Sequence, residues 1–132
     1  MIQTHDDPRQ VLKRMLANGP MTAMPKRPGD QEILARLAAA RFEPGKIYTE
    51  GEVNEALEAW LESFTEPYGI DHVTLRRLLV DRRLLVRTKS GSTYEVNPEA
   101  RQELEGFGDI DPARMLSRVR EEREARKQRR PD

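Results

Sequence analysis

Two pairs of cations in the second half of the chain have the types and spacing to bind a nucleic acid. Arg76 and Arg77 are adjacent within a helical pattern, while Arg87 and Lys89 alternate along a β-rich run. Arginine can hold a phosphate or make a bidentate contact with a guanine edge in the major groove. Because successive helical positions lie about 100° apart, the two adjacent arginines are expected to do different jobs.

These cations and their polar neighbours form a candidate DNA-binding set. It comprises His72, Thr74, Arg76, Arg77, Arg87, Lys89 and Ser90. A structural interpretation stands beside it. The helical arginines could pair with the glutamate-rich segment before them or with Asp81, and the two later cations could form a basic sheet edge that discourages aggregation.

Composition excludes several kinds of chemistry. The chain has no cysteine, which excludes disulfides, thiolate metal sites and cysteine nucleophiles. Its two histidines lack the spacing of metal ligands. No phosphate loop, nucleophile elbow or dinucleotide fingerprint is present. The sequence therefore indicates a binding module and not an enzyme, with no cofactor and no metal.

Charge is balanced over the whole chain but unevenly distributed. Basic and acidic residues each number 23. Residues 42–68 hold seven Glu and one Lys, whereas residues 71–89 hold five Arg and one Lys against two Asp. Residues 112–132 hold seven Arg and one Lys against three Glu and one Asp. Such asymmetry is typical of a protein with an anionic partner, although mixed charge also serves plain solvation.

Local signals predict the elements that hold these residues. Asp7-Pro8 starts a first helix, the Pro-rich stretch 20–29 is typical of a linker, and Asp30 is expected to cap a second helix. Ile47-Tyr48 is expected to pair as a stub at a sheet edge. A capping box at Thr49 to Glu52 starts a glutamate-rich helix over 50–63. Its apolar stripe consists of Val53, Leu57, Trp60, Leu61 and Phe64.

A capped helix and a hairpin follow. Asp71 is expected to cap a helix over 71–82 with Leu75, Leu78 and Leu79 on its core face. Two β-rich runs around Ser90-Gly91 predict a hairpin over 84–97. Beyond it, residues 98–104 form a candidate short helix, and Asp111-Pro112 starts a last helix whose apolar stripe fades after Val119.

The predicted fold class is α+β, mainly helical. The order helix, strand stub, helix, helix, hairpin is that of a winged helix-turn-helix-like domain, here with extra N- and C-terminal helices. We expect an N-terminal helix and linker over residues 1–29, the winged-helix-like domain over 30–97, and a C-terminal helical extension with a charged tail over 98–132.

Three motifs carry a family resemblance. They are Tyr48-Thr49-Glu50-Gly51-Glu52-Val53-Asn54, then Leu75-Arg76-Arg77-Leu78-Leu79-Val80-Asp81, and then Gly91-Ser92-Thr93-Tyr94. Over about residues 25–96 the chain resembles the bacterial family catalogued as domain of unknown function 2087. Members resemble winged helices, and some carry a regulator-type DNA-binding domain, so the resemblance implies a fold but no established activity. A longer insert between Asn54 and Asp71 departs from the family pattern.

Two functions fit this pattern. The first is a DNA-binding protein, a transcriptional regulator, with the helix over 71–82 in the groove and the hairpin over 84–97 on the backbone. The alternative is a winged-helix-shaped module for protein–protein interaction without DNA binding. Glu50, Glu52 and Glu55 would repel phosphate at the start of the acidic helix, so either they face away or the surface meets a basic protein partner.

The terminal segments raise the question of self-association. Val11, Leu12, Met15 and Leu16 need cover. A homodimer through the terminal helices would supply it, and so would packing on their own domain. With no apolar run of the roughly 18 residues that a membrane span needs and no signal peptide, we expect no membrane contact and a cytoplasmic location.

Overall fold

A computed structural model describes residues 7–90 and 92–129 of the chain. The described part contains α1 (Pro8–Met15), α2 (Pro28–Ala39), β1 (Tyr48–Thr49), α3 (Glu50–Glu62), α4 (His72–Asp81), β2 (Leu85–Arg87), β3 (Thr93–Val96) and α5 (Pro112–Arg129), with a 3-10 turn over Pro98–Ala100. The predicted fold class, α+β and mainly helical, is confirmed, and so is the predicted order of elements.

The strands form one small antiparallel sheet in the order β1-β3-β2. Tyr94 lies on the central strand and pairs with both neighbours, since it is opposite Tyr48 on β1 and opposite Arg87 on β2. The predicted edge stub and hairpin are therefore both present. Residue Gly91, in the predicted turn, lies outside the described residues.

One hydrophobic core joins the helices to the sheet. Most of the predicted apolar stripes of α3 and α4 is buried in it, with Val53, Leu57, Leu75 and Leu79 fully inaccessible to solvent, while Trp60 and Leu78 are half-buried against it. Tyr94 and Val96 of β3 close the sheet side. The capping box also forms: the Thr49 side chain accepts from the Glu52 amide, and the Glu52 carboxylate accepts from the Thr49 amide.

The terminal helices contribute to the same core. Leu12 and Leu16 at the end of α1 are fully buried, and Leu116 of α5 is nearly so. Arg14 fixes α1 to α2 through two hydrogen bonds to the Asp30 carboxylate, at 2.6 and 3.1 Å. Packing on their own chain, one of the two ways in which the sequence allowed these leucines to be covered, is therefore present, and the homodimer stays a prediction.

The start of α2 differs from the sequence prediction. The helix begins at Pro28 after the N-cap residue Arg27, so Asp30 is not the cap. Asp30 lies in the first helical turn, where its carboxylate is taken by Arg14. Proline in the first turn needs no amide partner, which lets the helix start two residues early.

The Pro-rich stretch before α2 is fixed to the body. Met21 is buried, its amide donates to Phe64 at 3.1 Å, and its carbonyl accepts from Glu66 at 2.8 Å. A Cβ on Gly69 would lie 3.0 Å from the Thr22 carbonyl oxygen, so a larger residue here would push on the backbone of this stretch. Residues of all three predicted segments thus share one core, while the boundaries at 29 and 97 stay predictions.

The end of the chain is more helical than its apolar stripe predicts. Leu116 and Val119 are buried, yet α5 continues to Arg129. The loop before α5 is held by Arg41, which donates to the carbonyls of Phe107 and Gly108 at 3.1 and 3.0 Å. Within residues 7–90 and 92–129, no helix combines the length and the apolar character that crossing a membrane requires.

Candidate nucleic-acid interface

The helix α4 is placed by a polar cap at its start. The Asp71 carboxylate accepts from the Thr74 amide at 3.1 Å and from the Thr74 hydroxyl at 3.0 Å. These hydrogen bonds, the hydroxyl's first, hold the pKa of Asp71 below its usual range. Thr74, one of the candidate DNA-binding residues, is exposed. Its hydroxyl is used by the cap, so its methyl group is the part of the side chain that could contact DNA.

Arg76 points into the protein. Only 12% of its side chain is exposed. One guanidinium nitrogen donates to the Asn54 side-chain oxygen at 2.6 Å, and another lies 3.8 Å from the Glu50 carboxylate. The guanidinium also lies 5.9 Å from the centre of the Tyr94 ring. The pairing with the glutamate-rich helix that the sequence left open is thus the arrangement of Arg76.

The same network reaches the hairpin. The Tyr94 hydroxyl donates to the Glu50 carboxylate at 2.8 Å, and the Glu50 amide donates to the Ser92 carbonyl at 3.3 Å. Glu50, Asn54, Arg76 and Tyr94 therefore tie the first turns of α3, the middle of α4 and the central strand together. We call these four residues the hinge network because they lie where the two helices meet the sheet, and the name implies no motion.

Burial of Tyr94 changes its acidity. Its side chain is 1% exposed, and desolvation followed by the hydrogen bond to Glu50 raises the pKa of its phenol above the ordinary value of 10.0. Arg76 and Arg87 nearby oppose that shift in part. The neutral phenol is thus the form that the fold requires.

A testable consequence is a loss of stability at alkaline pH. Because the unfolded chain releases the Tyr94 proton first, the contribution of this phenol to stability is complete below about pH 10 and is lost as the pH rises through the raised value. Urea unfolding from pH 7 to pH 11 should show a steeper alkaline decline for the wild type than for Tyr94→Phe. Equal declines in the two proteins would contradict the assignment.

Arg77 points the other way. It is exposed, and no hydrogen bond or ion pair joins its side chain to another described residue, so the pairing with Asp81 is not found. The helical spacing places Val73 and Val80 on either side of it, each half-buried. The outer face of α4 is therefore centred on one free guanidinium between two short apolar side chains.

The hairpin carries the other two candidate cations. Arg87 and Lys89 are both exposed, and Arg87 lies opposite Tyr94 in the register, which places it on the same sheet face as the hinge network. Ser90 is exposed near the tip, with its hydroxyl 2.7 Å from that of Ser92 and 3.2 Å from that of Thr88. The hairpin tip is thus polar and cationic.

His72, a member of the candidate DNA-binding set, is half-buried at the start of α4. Its side chain is 25% exposed, and Nδ1 lies 4.0 Å from the Glu58 carboxylate. The described residues contain no group of three or more histidine and acidic side chains placed to hold a metal ion. His72 therefore belongs to the contact between α3 and α4.

The acidic helix divides into two parts. Glu50 serves the hinge network and Glu52 serves the capping box, where the Thr49 amide holds the pKa of Glu52 below its usual range. Glu55, Glu58 and Glu62 are exposed along α3, a helix without lysine or arginine, and Glu58 lies near His72 of α4. The glutamate closest to the hairpin is therefore matched by Arg76, while Glu55 and Glu62 have no ion-pair partner among the described residues.

Three residues of this site were not indicated by the sequence. Asn54 and Tyr94 lie within the quoted motifs, but their motif positions alone gave no partner for Arg76, whereas the glutamate-rich segment that holds Glu50 was one of its possible partners. Arg83, which follows the C-cap of α4, is exposed, and its positive φ of 60° turns the chain towards β2. An arginine in a turn between a candidate DNA-reading helix and a hairpin was the signal available for Arg83.

A sequence model of the family described as "uncharacterized protein conserved in bacteria (DUF2087)" matches residues 20–96, which is more than half of the chain. The match covers α2 to β3 and includes every residue of the hinge network. No curated protein and no solved structure matches the chain.

Proposed function

The chain belongs to the bacterial family catalogued as domain of unknown function 2087, and within that frame we propose that it is a winged-helix-like DNA-binding protein, a transcriptional regulator. The observation that supports the proposal best is Arg77. It is an unpaired arginine at the centre of the exposed face of a helix, and the hairpin that follows this helix carries two more exposed cations.

The outer face of α4 suits the major groove. An α-helix fits that groove, and an arginine at its centre can reach the O6 and N7 atoms of guanine or a phosphate. The Thr74 methyl and the two valines beside Arg77 are the apolar groups that can contact thymine methyls. Asp71 and Asp81 at the two ends of α4 oppose phosphate there, so a contact centred on Arg77 is favoured.

The hairpin cations have the backbone role in this proposal. Arg87 and Lys89 lie on a hairpin that the hinge network joins to α4, so the two elements can approach a duplex as one rigid unit. Phosphate contacts of this kind set register and orientation without reading sequence. Arg76 then acts through Tyr94 and Glu50 as a positioning residue and does not touch DNA.

The proposal is tested by fluorescence anisotropy with a labelled duplex at about 50 and 200 mM salt. We expect Arg77→Ala to weaken binding by about tenfold, the lower range for one arginine contact. The double variant R87A/K89A is expected to weaken binding to all duplexes and to lower the slope of log K against log salt by about 2. Arg101→Ala, which removes an exposed arginine outside α4 and the hairpin, is the matched control.

Two results would contradict the proposal. One is an absence of binding at 50 mM salt, where phosphate contacts alone give measurable affinity. The other is an equal loss in Arg101→Ala and in the α4 and hairpin variants, since it would mean that only net charge matters.

The protein-interaction alternative is favoured by a separate observation. Glu55, Glu58 and Glu62 form an exposed acidic surface without matching cations on the same helix, and Tyr68 in the insert is fully exposed. A basic polypeptide is the partner that this charge suits. Affinity purification from bacterial lysate with the wild type and with E55Q/E58Q/E62Q tests it. A protein retained equally by both baits would count against the acidic surface.

A further inference from the structure

The buried stripe of α5 changes character halfway along the helix. Leu116 and Val119 pack into the protein, and Arg123 and Arg126 follow at the same spacing of three and four residues. Positions with this spacing share one face of a helix. The face that is apolar in the first half of α5 is therefore cationic in the second half.

An open cleft of about 640 Å³ lies where this cationic face meets the end of α1. Its lining residues are Ala17, Asn18, Arg123, Arg126 and Lys127. The three cations are exposed, and no acidic side chain lines the cleft. Glu121, Glu122 and Glu124 lie on the same stretch of α5 but outside the lining, and Glu122 lies 3.8 Å from Lys13 of α1. The cleft is thus a local concentration of positive charge in a chain of zero net charge.

Support of α1 alone does not account for these cations. The carbonyl end of a helix favours a positive charge within its last turn, and α1 already has Lys13 and Arg14 there. Beyond that end, three further cations face one cleft whose lining holds no acidic side chain, so they repel one another there. An anionic partner would remove that repulsion.

We propose that this cleft binds the phosphate backbone of a nucleic acid. Exposed arginine and lysine side chains over an open surface suit phosphates, and Asn18 is the one lining side chain with an amide that could contact a base edge. We therefore expect binding without base preference. The inference shares the ligand class of the proposed function but not its residues, since α1 and α5 form this surface without α4 or the hairpin.

The test uses the full chain, a labelled 30-base-pair duplex of arbitrary sequence, and the triple variant R123Q/R126Q/K127Q. Its matched control, R114Q/R118Q/R120Q, removes the same number of charges from exposed positions of the same helix. Glutamine keeps helix propensity close to that of arginine and lysine. We expect the cleft variant to lower the salt slope by about 3 and the control variant to leave it unchanged. If the cleft triple variant fails to fold, Lys127→Gln alone should lower the slope by about 1.

Two outcomes would overturn the inference. Equal salt slopes in the cleft and control variants would mean that net charge, and not the cleft, sets the binding. Competition by polyglutamate as effective as duplex DNA at equal charge would assign the surface to an acidic polypeptide.

Failure of this inference and of the proposed function can be told apart. Binding lost in R87A/K89A and Arg77→Ala, but not in the cleft variant, would overturn the cleft and leave α4 as the interface. Binding lost only in the cleft variant would overturn the α4 interface and support the cleft.

Discussion

Leu12→Ala is expected to lower the free energy of unfolding by about 3 kcal/mol, a value within the range for leucine-to-alanine changes in a packed core. Leu12 lies in the first helix, outside the part of the chain that matches the family, yet its side chain is fully buried. The substitution removes apolar contacts and leaves a cavity among neighbours that close only in part. Urea unfolding followed by circular dichroism measures the loss.

Protein concentration decides how this result is interpreted. If α1 completes the core of its own chain, the urea midpoint of wild type and variant is independent of concentration. If a second copy covers α1, the midpoint rises with concentration, because association stabilises the folded state. Arg9→Ala, an exposed change on the same helix, should stay within about 0.5 kcal/mol. A loss below 1 kcal/mol for Leu12→Ala, or a midpoint that depends on concentration, would contradict the packing described here.

The elements that the sequence predicted best are those with strong local signals. The capping box at Thr49 fixes the start of α3, and the spacing of Val53, Leu57 and Leu61 fixes its buried face. Both signals act within one or two helical turns, so they need no partner from elsewhere in the chain. The cap at Asp71 gave the start of α4 for the same reason.

Predictions that depend on distant partners were weaker. Asp30 is of a residue type that often caps helices, but Arg14, sixteen residues earlier, binds its carboxylate. Met21 lies in a Pro-rich stretch that is typical of a linker, yet it pairs with the segment after α3. Strand alternation places Leu84 and Leu85 on opposite faces, yet both are buried, because Leu84 precedes β2 and its amide still donates to the Leu79 carbonyl of α4 at 2.9 Å. Local patterns carry no information about such partners.

The candidate site shows the same limit. Helical geometry predicted that Arg76 and Arg77 point apart, and the structure has them apart. Which of the two faces inward depends on Asn54, Glu50 and Tyr94, which approach from another helix and from the sheet. The sequence therefore predicted that the two arginines have different roles, and only the tertiary contacts decide which arginine has which role.

Arg76→Ala is expected to destabilise the fold by about 2 kcal/mol, the scale for a hydrogen bond to a charged group in a partly buried site. The substitution removes the donor to Asn54 and leaves the Glu50 carboxylate with the Tyr94 hydroxyl but without its nearest cation. Urea unfolding at pH 7 measures it. Arg76→Lys should recover only part of the loss, because a lysine ammonium cannot reproduce the planar fork that the guanidinium presents to two partners.

Arg77→Ala is the matched control, one residue away on the same helix. Its side chain is exposed and makes no described polar contact, so its effect on stability should stay within about 0.5 kcal/mol. In duplex binding the order should reverse: Arg77→Ala removes a contact with DNA, whereas Arg76→Ala acts only through the placement of the hairpin. Equal losses of stability in the two variants would contradict the hinge network.

A double-mutant cycle separates the hinge network from simple burial of Arg76. If the bond to Asn54 carries the effect, Arg76→Ala and Asn54→Ala should share a coupling energy of about 1 kcal/mol or more, as contacting residues do. Additive losses would mean that the bond to Asn54 does not carry the effect, so that Arg76 stabilises the fold through Glu50, the Tyr94 ring or its methylene packing. A second cycle, Arg76→Ala with Tyr94→Phe, then tests the connection to the hairpin. If both cycles are additive, the rigid approach of helix and hairpin to a duplex, on which the proposed function depends, needs another structural basis.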